Sequence, residues 1–398
     1  MFLDILLRRN RKFVETAIEL HQKGEIPANS YVIDVDTVRD NAAVMAEAGK
    51  KYNFKIFAMT KQIGRNPVVL KAISEAGINS CVAVDLACAR AVNAAGLKVG
   101  HLGHLVQIPR AETKAALNLK PDYWTVFSYE KAVEISNANT ENREQKVLTR
   151  IYADGDRFYK GHEGGFPAKD ILDVSKRLDR LKGIKFAGIT TFPALLYDTE
   201  AKDVMPTHNL KTLEETAATL AKAGIENIEV NAPGTTSSVV FEKLADAGAT
   251  QVEPGHGLTG TTPLHAINDL PETPAMLYIT EVSHFYGGKP YCFGGGLYID
   301  PVFPPYPVKA CVGSSPEEAI KQKIVCEMPN PSAIDYYGIL QSEPENKIKE
   351  GDTVIFGFRA QVFVTRAYVV PISGIKTGKP EVKGIWFSDG RRVGWPEW

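Results

Sequence analysis

The chain has little that would tie it to nucleic acid, membranes or disulfide chemistry. Its 398 residues carry 46 basic and 47 acidic side chains, a net charge of -1. No basic field is present to collect nucleic acid or an anionic lipid surface, and no block of like charge forms an interaction tail. The cysteines number five (Cys81, Cys88, Cys292, Cys311 and Cys326), scattered and without a paired CxxC. That argues against a disulfide framework or a zinc ribbon and fits reduced thiols in a cytoplasm. No apolar run approaches the roughly 20 residues of a membrane span. The opening MFLDILLRRNRKF has an aspartate inside its short apolar run and arginines after it, the reverse of a secretory signal. A cytoplasmic protein with no nucleic-acid or membrane partner is expected. No low-complexity tract or long repeat interrupts an ordinary globular composition.

What is present is alternation. Eight short β-like runs fall at 54–60, 79–85, 99–105, 123–128, 147–153, 184–192, 227–232 and 250–254. Stretches of helical period such as NPVVLKAISEAGI, LACARAVNAAGL and NLKTLEETAATLAKAGI separate them. Several end in Ala-Gly, a helix C-terminal signal. Parallel strands need helical crossovers, so eight βα units predict an α/β fold of (β/α)8 TIM-barrel type. A doubly wound open sheet is the alternative. After about residue 266 the texture becomes β-rich with Gly and Pro punctuation, broken by one helix-like insert, SPEEAIKQK. The expected division is a barrel over 36–265, with 1–35 and 266–398 forming an N-terminal extension and a C-terminal β domain. The run SYVIDV (30–35) could pair with either part.

A βα barrel works at the C-terminal ends of its strands. Lys61 follows the first run and Asp85 the second; His104 follows the third. The fifth contains Arg150, the sixth ends Thr190-Thr191-Phe192, and the seventh and eighth end in NAPGTTSS and EPGHGLTG. Gly234, Thr235, Thr236 and Ser237 offer backbone N–H groups and hydroxyls at a helix start, and Gly255, His256 and Gly257 offer a second wall. Each turn alone also suits a plain cap. On neighbouring strands the pair suits a phosphate. Glu253, ending the eighth run, is either a rim carboxylate in a salt bridge or the partner of a basic ring nitrogen. A lysine, a phosphate cup and a carboxylate on one barrel mouth describe a pyridoxal 5'-phosphate site, with Lys61 forming the Schiff base. No set of His, Cys and acidic residues has convincing metal-ligand spacing, so no metal is expected.

The segments YVIDVDTVRDNAAVM and KIFAMTK resemble the opening of alanine racemases and their fold-type III relatives. FAMTKQIGRNP, GHLVQIPR, NAPGTTSS, EPGHGLTGTTP and YCFGGGLYID resemble the YhfX family over nearly the whole chain. The resemblance implies pyridoxal phosphate on Lys61, cofactor contacts from Asp85 and Arg150, and a homodimer with shared active sites. Thr191 stands where these families usually have a ring-stacking histidine, a role Phe192 or His104 could take over. Glu253 departs from the alanine racemase arginine and is similar to the decarboxylase Glu-Pro-Gly. A carboxylate there keeps the ring nitrogen protonated and deepens the electron sink. Cys326, in VCEMPNPSAIDYYG, resembles the decarboxylase cysteine that approaches substrate from the partner subunit.

The expected activity is therefore an amino-acid racemase or epimerase with Lys61 as one base. Cys326, His284 or a tyrosine such as Tyr298 or Tyr337 would be the opposing acid. A decarboxylase or lyase, a non-catalytic pyridoxal phosphate carrier, and a sugar- or phosphate-processing barrel without that cofactor are the alternatives.

Overall fold

The computed structural model describes residues 1–141, 143–299, 305–343 and 345–394. Asp300, which ends the YCFGGGLYID segment, lies outside them. The chain divides into two compact units, one of residues 42–60 and 73–257, the other of 1–41, 61–72 and 258–398.

The first unit is a closed barrel of eight parallel strands. They are Lys55–Met59 (broken at Phe57), Ser80–Ala83, Lys98–Leu102, Tyr123–Val126, Gln145–Tyr152, Ile184–Thr190, Glu229–Asn231 and Gln251–Val252. Each pairs with the next in sequence, and the first pairs with the eighth. Backbone bonds Phe57 N→Val252 O (3.0 Å) and Met59 N→Pro254 O (2.9 Å) make that closure. An open sheet is thereby excluded. The strands are short and almost continuously buried, as parallel strands covered by helices must be. The crossovers include Leu86–Ala94 and His208–Lys222. Gly96 (φ +77°) and Gly224 (φ +78°) end these two in the left-handed region, where a side chain would be strained. At Gly188 a Cβ would overlap the Glu229 carbonyl of the neighbouring strand, so only glycine lets the sixth and seventh strands approach.

The second unit is built on an antiparallel sheet in which six strands close into a ring: Met276–Tyr286, Lys289–Phe293, Tyr337–Leu340, Lys323–Glu327, Lys309–Gly313 and Thr353–Phe356. The SYVIDV run belongs here. Ser30–Asp34 pairs antiparallel with Met276–Tyr286 and parallel with Tyr368–Ser373. The helix-like insert is Pro316–Lys321, started by Ser315, whose Oγ accepts from Glu318 N.

The N-terminal extension forms two amphipathic helices, Phe2–Arg9 and Arg11–Gln22. Their apolar sides, including Leu6, Phe13, Val14 and Ile18, pack in one core with Leu277, Ile355 and Val370 of the sheet. All five cysteines are buried. Among the described residues no helix is long and apolar enough to cross a membrane.

His21 ends the second helix with its side chain 4% exposed and Nδ1 2.8 Å from Thr353 Oγ1. Burial lowers its pKa to about 4. The unfolded chain, with histidine near 6.5, binds the proton first as pH falls. The stability gained by burying a neutral ring is thus complete above about pH 6.5 and is lost toward pH 4, by about 3 kcal/mol. Urea unfolding of His21→Phe across that window should show a loss smaller by about this amount than the parent chain.

Candidate active site

The first strand carries the chain out of the barrel at Thr60, one residue beyond the Met59–Pro254 bond, and Lys61 follows as the first residue of a 3-10 turn, Lys61–Ile63. Lys61 is half-buried, with Nζ 5.4 Å from the centroid of the Phe363 ring. Arg65 lies over the same ring at 5.6 Å and donates from Nη1 to Ser388 O at 3.2 Å. Cation–π attraction holds each head group near the ring. The Lys61 amine is therefore a placed amine and not a freely solvated one.

The eighth strand ends in Glu253, whose side chain is 1% exposed. A carboxylate so deep must be paired and hydrogen-bonded. His101 Nδ1, from the third strand, lies 2.5 Å from Oε1, and Asn231 Nδ2, from the seventh, donates to the same oxygen at 3.0 Å. His104 Nε2 stands 3.6 Å from Oε2. A second layer braces the first: His101 Nε2 is 2.5 Å from Thr125 Oγ1, and Thr190 Oγ1 donates to Asn231 Oδ1 at 2.7 Å. Burial by itself would raise the Glu253 pKa. The charges of His104 and His101, with hydrogen bonds from His101 and Asn231, outweigh it and hold the carboxyl below its ordinary value. Among the described residues Oε2 has no hydrogen-bond partner. His101, His104 and Glu253 have potential donor atoms within 4.8 Å of one another. His101 and Glu253 are joined by a charge-assisted hydrogen bond, with His104 beside them.

The turns after the seventh and eighth strands touch. A Cβ on Gly257 would stand 2.5 Å from Thr236 O and 2.5 Å from Met45 Cε, so a glycine is required where they meet. Gly234 (φ +137°) has the Leu195 carbonyl 2.8 Å from where its Cβ would be, and Thr235 holds a positive φ of +40°. Thr236 Oγ1 donates to Gly234 O at 3.3 Å. Ser237 precedes the 3-10 turn Ser238–Val240, is fully buried, and its Oγ has no hydrogen-bond partner among the described residues. Gly255 and His256 are buried in the facing turn.

Arg150 is fully buried on the fifth strand. Its Nη2 donates to His162 O (2.7 Å) and Phe192 O (3.2 Å), and its guanidinium lies over Phe127 at 4.9 Å and Phe158 at 5.6 Å. Burial pulls its pKa down to about 10, against the charge of Glu163. Nε and Nη1 have no partner among the described residues. Thr191 is also fully buried, and its hydroxyl accepts from Asn209 Nδ2 at 3.2 Å. Phe192 lies between two imidazoles, His104 edge-on at 5.6 Å and His162 stacked at 6.2 Å. His104 thus joins the Glu253 network to the Phe192–Arg150 cluster.

Asp85 is the N-cap of helix Leu86–Ala94, its Oδ1 accepting from Cys88 N at 2.7 Å. Cys326 and His284, in the β unit, face opposite sides of the ring of strands. Cys326 is 4% exposed, and its neighbour across Gly338 is Cys292. The hydrogen bond with Cys292 and then burial push its thiol pKa well above the usual value. His284 stacks on Tyr291 (4.8 Å, 19°) and meets the edge of Tyr337 (5.0 Å). Its Nδ1 is 2.9 Å from Ser283 Oγ.

Sequence reading missed His101 as more than a structural residue, and it missed Asn231, Thr125 and Thr190. The only signal was their position on the third, fourth, sixth and seventh runs.

Residues 33–263 match the family model described as alanine racemase, N-terminal domain, and residues 277–382 the one described as YhfX-like, C-terminal domain. The chain is 39% identical to the protein YhfX of Escherichia coli (strain K12) over 395 residues, covering 99% of this chain and 100% of that one. Among solved structures, D-threonine aldolase from Filomicrobium marinum superposes with a TM-score of 0.69 at 16% identity, covering 92% of this chain and 96% of the other. An alanine racemase from Clostridium difficile 630, in complex with cycloserine, gives 0.64 at 16% identity over 91% and 99%. At such identities the superpositions report the fold.

Two substitutions separate the buried network from an ordinary cap. Glu253→Ala, which strands His101 and Asn231, should cost about 3 kcal/mol or more, and Asp85→Ala about 1 kcal/mol. Urea unfolding of both variants measures the difference.

Proposed function

The chain belongs to the family of alanine racemase-type barrels, in the branch with a YhfX-like C-terminal domain, and from that footing we propose that it is an enzyme that breaks a bond at the α-carbon of a free amino acid. Pyridoxal 5'-phosphate is the cofactor of that family. The residues here fit the group at both ends. Glu253 Oε2, buried, without a hydrogen bond among the described residues and 3.6 Å from His104 Nε2, suits a protonated ring nitrogen; Ser237 Oγ, equally buried and without a hydrogen bond, suits a phosphate oxygen. The observation that carries the reading is the first of these. A carboxylate held ionised with one oxygen spare is arranged to keep an adjacent nitrogen positively charged.

In this reading Lys61 would hold the cofactor through its amine, and its Nζ would serve as the base for the α-proton. The turns 234–237 and 255–257 grip the phosphate by backbone N–H groups and the Ser237 hydroxyl. Phe192 and His104 bound the ring, while Arg150 offers Nε and Nη1 to an oxygen anion. Glu253, through Oε2, keeps the proton on the ring nitrogen. The cofactor, when bound, supplies an electron-withdrawing ring that delocalises the charge left at the α-carbon. The homodimer and cytoplasmic setting expected from the sequence belong to this proposal.

Racemisation or epimerisation is the first reading. The second is cleavage by a lyase or decarboxylase, and one specific observation favours it. Cys326 is a packed thiol with a raised pKa, and it is ill suited to deliver a proton from the opposite face. Cleavage can proceed with one base. Asp85, given its capping role, is better read as a support of the second strand's turn than as a cofactor contact.

Incubation with a panel of L- and D-amino acids in heavy water decides among these. Deuterium at the α-carbon with inversion is the result expected of a racemase, and carbon dioxide or aldehyde release that of a decarboxylase or aldolase. Silence across the panel supports a cofactor carrier. Lys61→Ala should lower any such rate by at least about 1000-fold, in line with loss of a covalent and acid–base residue.

A further inference from the structure

The Glu253 network is anchored by residues shielded from bulk water, among them His101. His101 has both ring nitrogens committed, Nδ1 to Glu253 Oε1 and Nε2 to Thr125 Oγ1, each at 2.5 Å, and it is fully buried. Facing it are Phe57, with ring centroids 6.3 Å apart, and His104, at 5.4 Å. The titratable groups packed against Glu253 are therefore His101 and His104; Asn231, from the seventh strand, is neutral. The polarity of the chain of contacts is fixed from one end. An ionised carboxylate can only accept, so Nδ1 carries the proton and donates. Nε2 faces the Thr125 hydroxyl, which can rotate either to accept from that nitrogen or to donate to it. Both donors converge on Oε1 and stabilise Glu253 as an anion.

We propose that His101 is a positioning residue for the reaction: braced by Thr125, it anchors Glu253 through Oε1 as an anion, so that Oε2 alone is presented to the ring nitrogen. This rests on the pyridoxal phosphate reading above. It adds that the strength of the electron sink is set one layer below the residue that touches the ring. Asn231 shares Oε1 but is an amide, and Thr190 ties it to the sixth strand. It orients the carboxylate and remains when His101 is removed. Loss of His101 leaves Glu253 buried with fewer donors, raises its affinity for a proton, and removes the negative charge facing the ring nitrogen.

The test uses the full chain loaded with pyridoxal phosphate carrying 15N in the ring, and reads the ring-nitrogen shift against pH with no substrate present. In His101→Leu the pH at which the ring nitrogen loses its proton should fall by at least one unit, about a tenfold loss of proton affinity. His101→Asn places an amide donor near the position of Nδ1 and should titrate close to the parent. Thr125→Val, which leaves His101 in place but unbraced, should fall between, and it keeps the test available if His101→Leu does not fold. An unchanged titration in both His101→Leu and Thr125→Val overturns the proposal. Failure of the parent to bind the cofactor on lysine, seen as no borohydride-reducible visible band, overturns the cofactor reading instead.

Discussion

A carboxylate that retains about one per cent of its exposure has to be held by its neighbours. Glu253 meets that demand with two donors on one oxygen, His101 at 2.5 Å and Asn231 at 3.0 Å, and leaves the other oxygen spare. Three strands far apart in sequence are tied at that point: the third, the seventh and the eighth. The constraint acts on the fold and on the chemistry together. It fixes the end of the last barrel strand against the third and seventh, and it holds a negative charge inside the barrel.

The rest of the barrel mouth follows from backbone closeness. The eighth strand closes on the first through Met59 and Pro254, and the next turn begins at Lys61. The turns after the seventh and eighth strands meet where Gly257 has no side chain, which brings Ser237 and its idle hydroxyl into a buried corner. Arg150 is the second charge of the mouth. Two carbonyls and two aromatic faces hold it. Glu253 and Arg150 are opposite charges, each with side-chain atoms that make no hydrogen bond among the described residues.

Much of this was legible in the sequence because it depends on local patterns. The eight runs between 54 and 254 became eight parallel strands, since short apolar runs separated by helical periods have few other ways to bury both faces. The Gly-rich ends of runs seven and eight pointed to turns, and Glu253 and Lys61 drew notice from their places at strand ends. The hidden parts are those fixed by long-range contact. His101 and Glu253 are 152 residues apart, and nothing near His101 distinguishes a carboxylate anchor from a core histidine. The destination of SYVIDV was undecided because both of its partners, Met276–Tyr286 and Tyr368–Ser373, lie more than two hundred residues away. The N-terminal segment was examined only as a possible signal, although its helices pack their apolar faces on that same sheet. Asp85 shows the converse: an aspartate three residues before Cys88 carries the local pattern of a helix cap, and the structure gives it that bond.

A crystal structure of the chain loaded with pyridoxal 5'-phosphate bears most directly on this account. It should show continuous density from Lys61 Nζ to the cofactor, with the ring nitrogen about 3 Å from Glu253 Oε2, the distance of a charge-assisted hydrogen bond. Density on a different lysine, or a ring nitrogen turned away from Glu253, would contradict it.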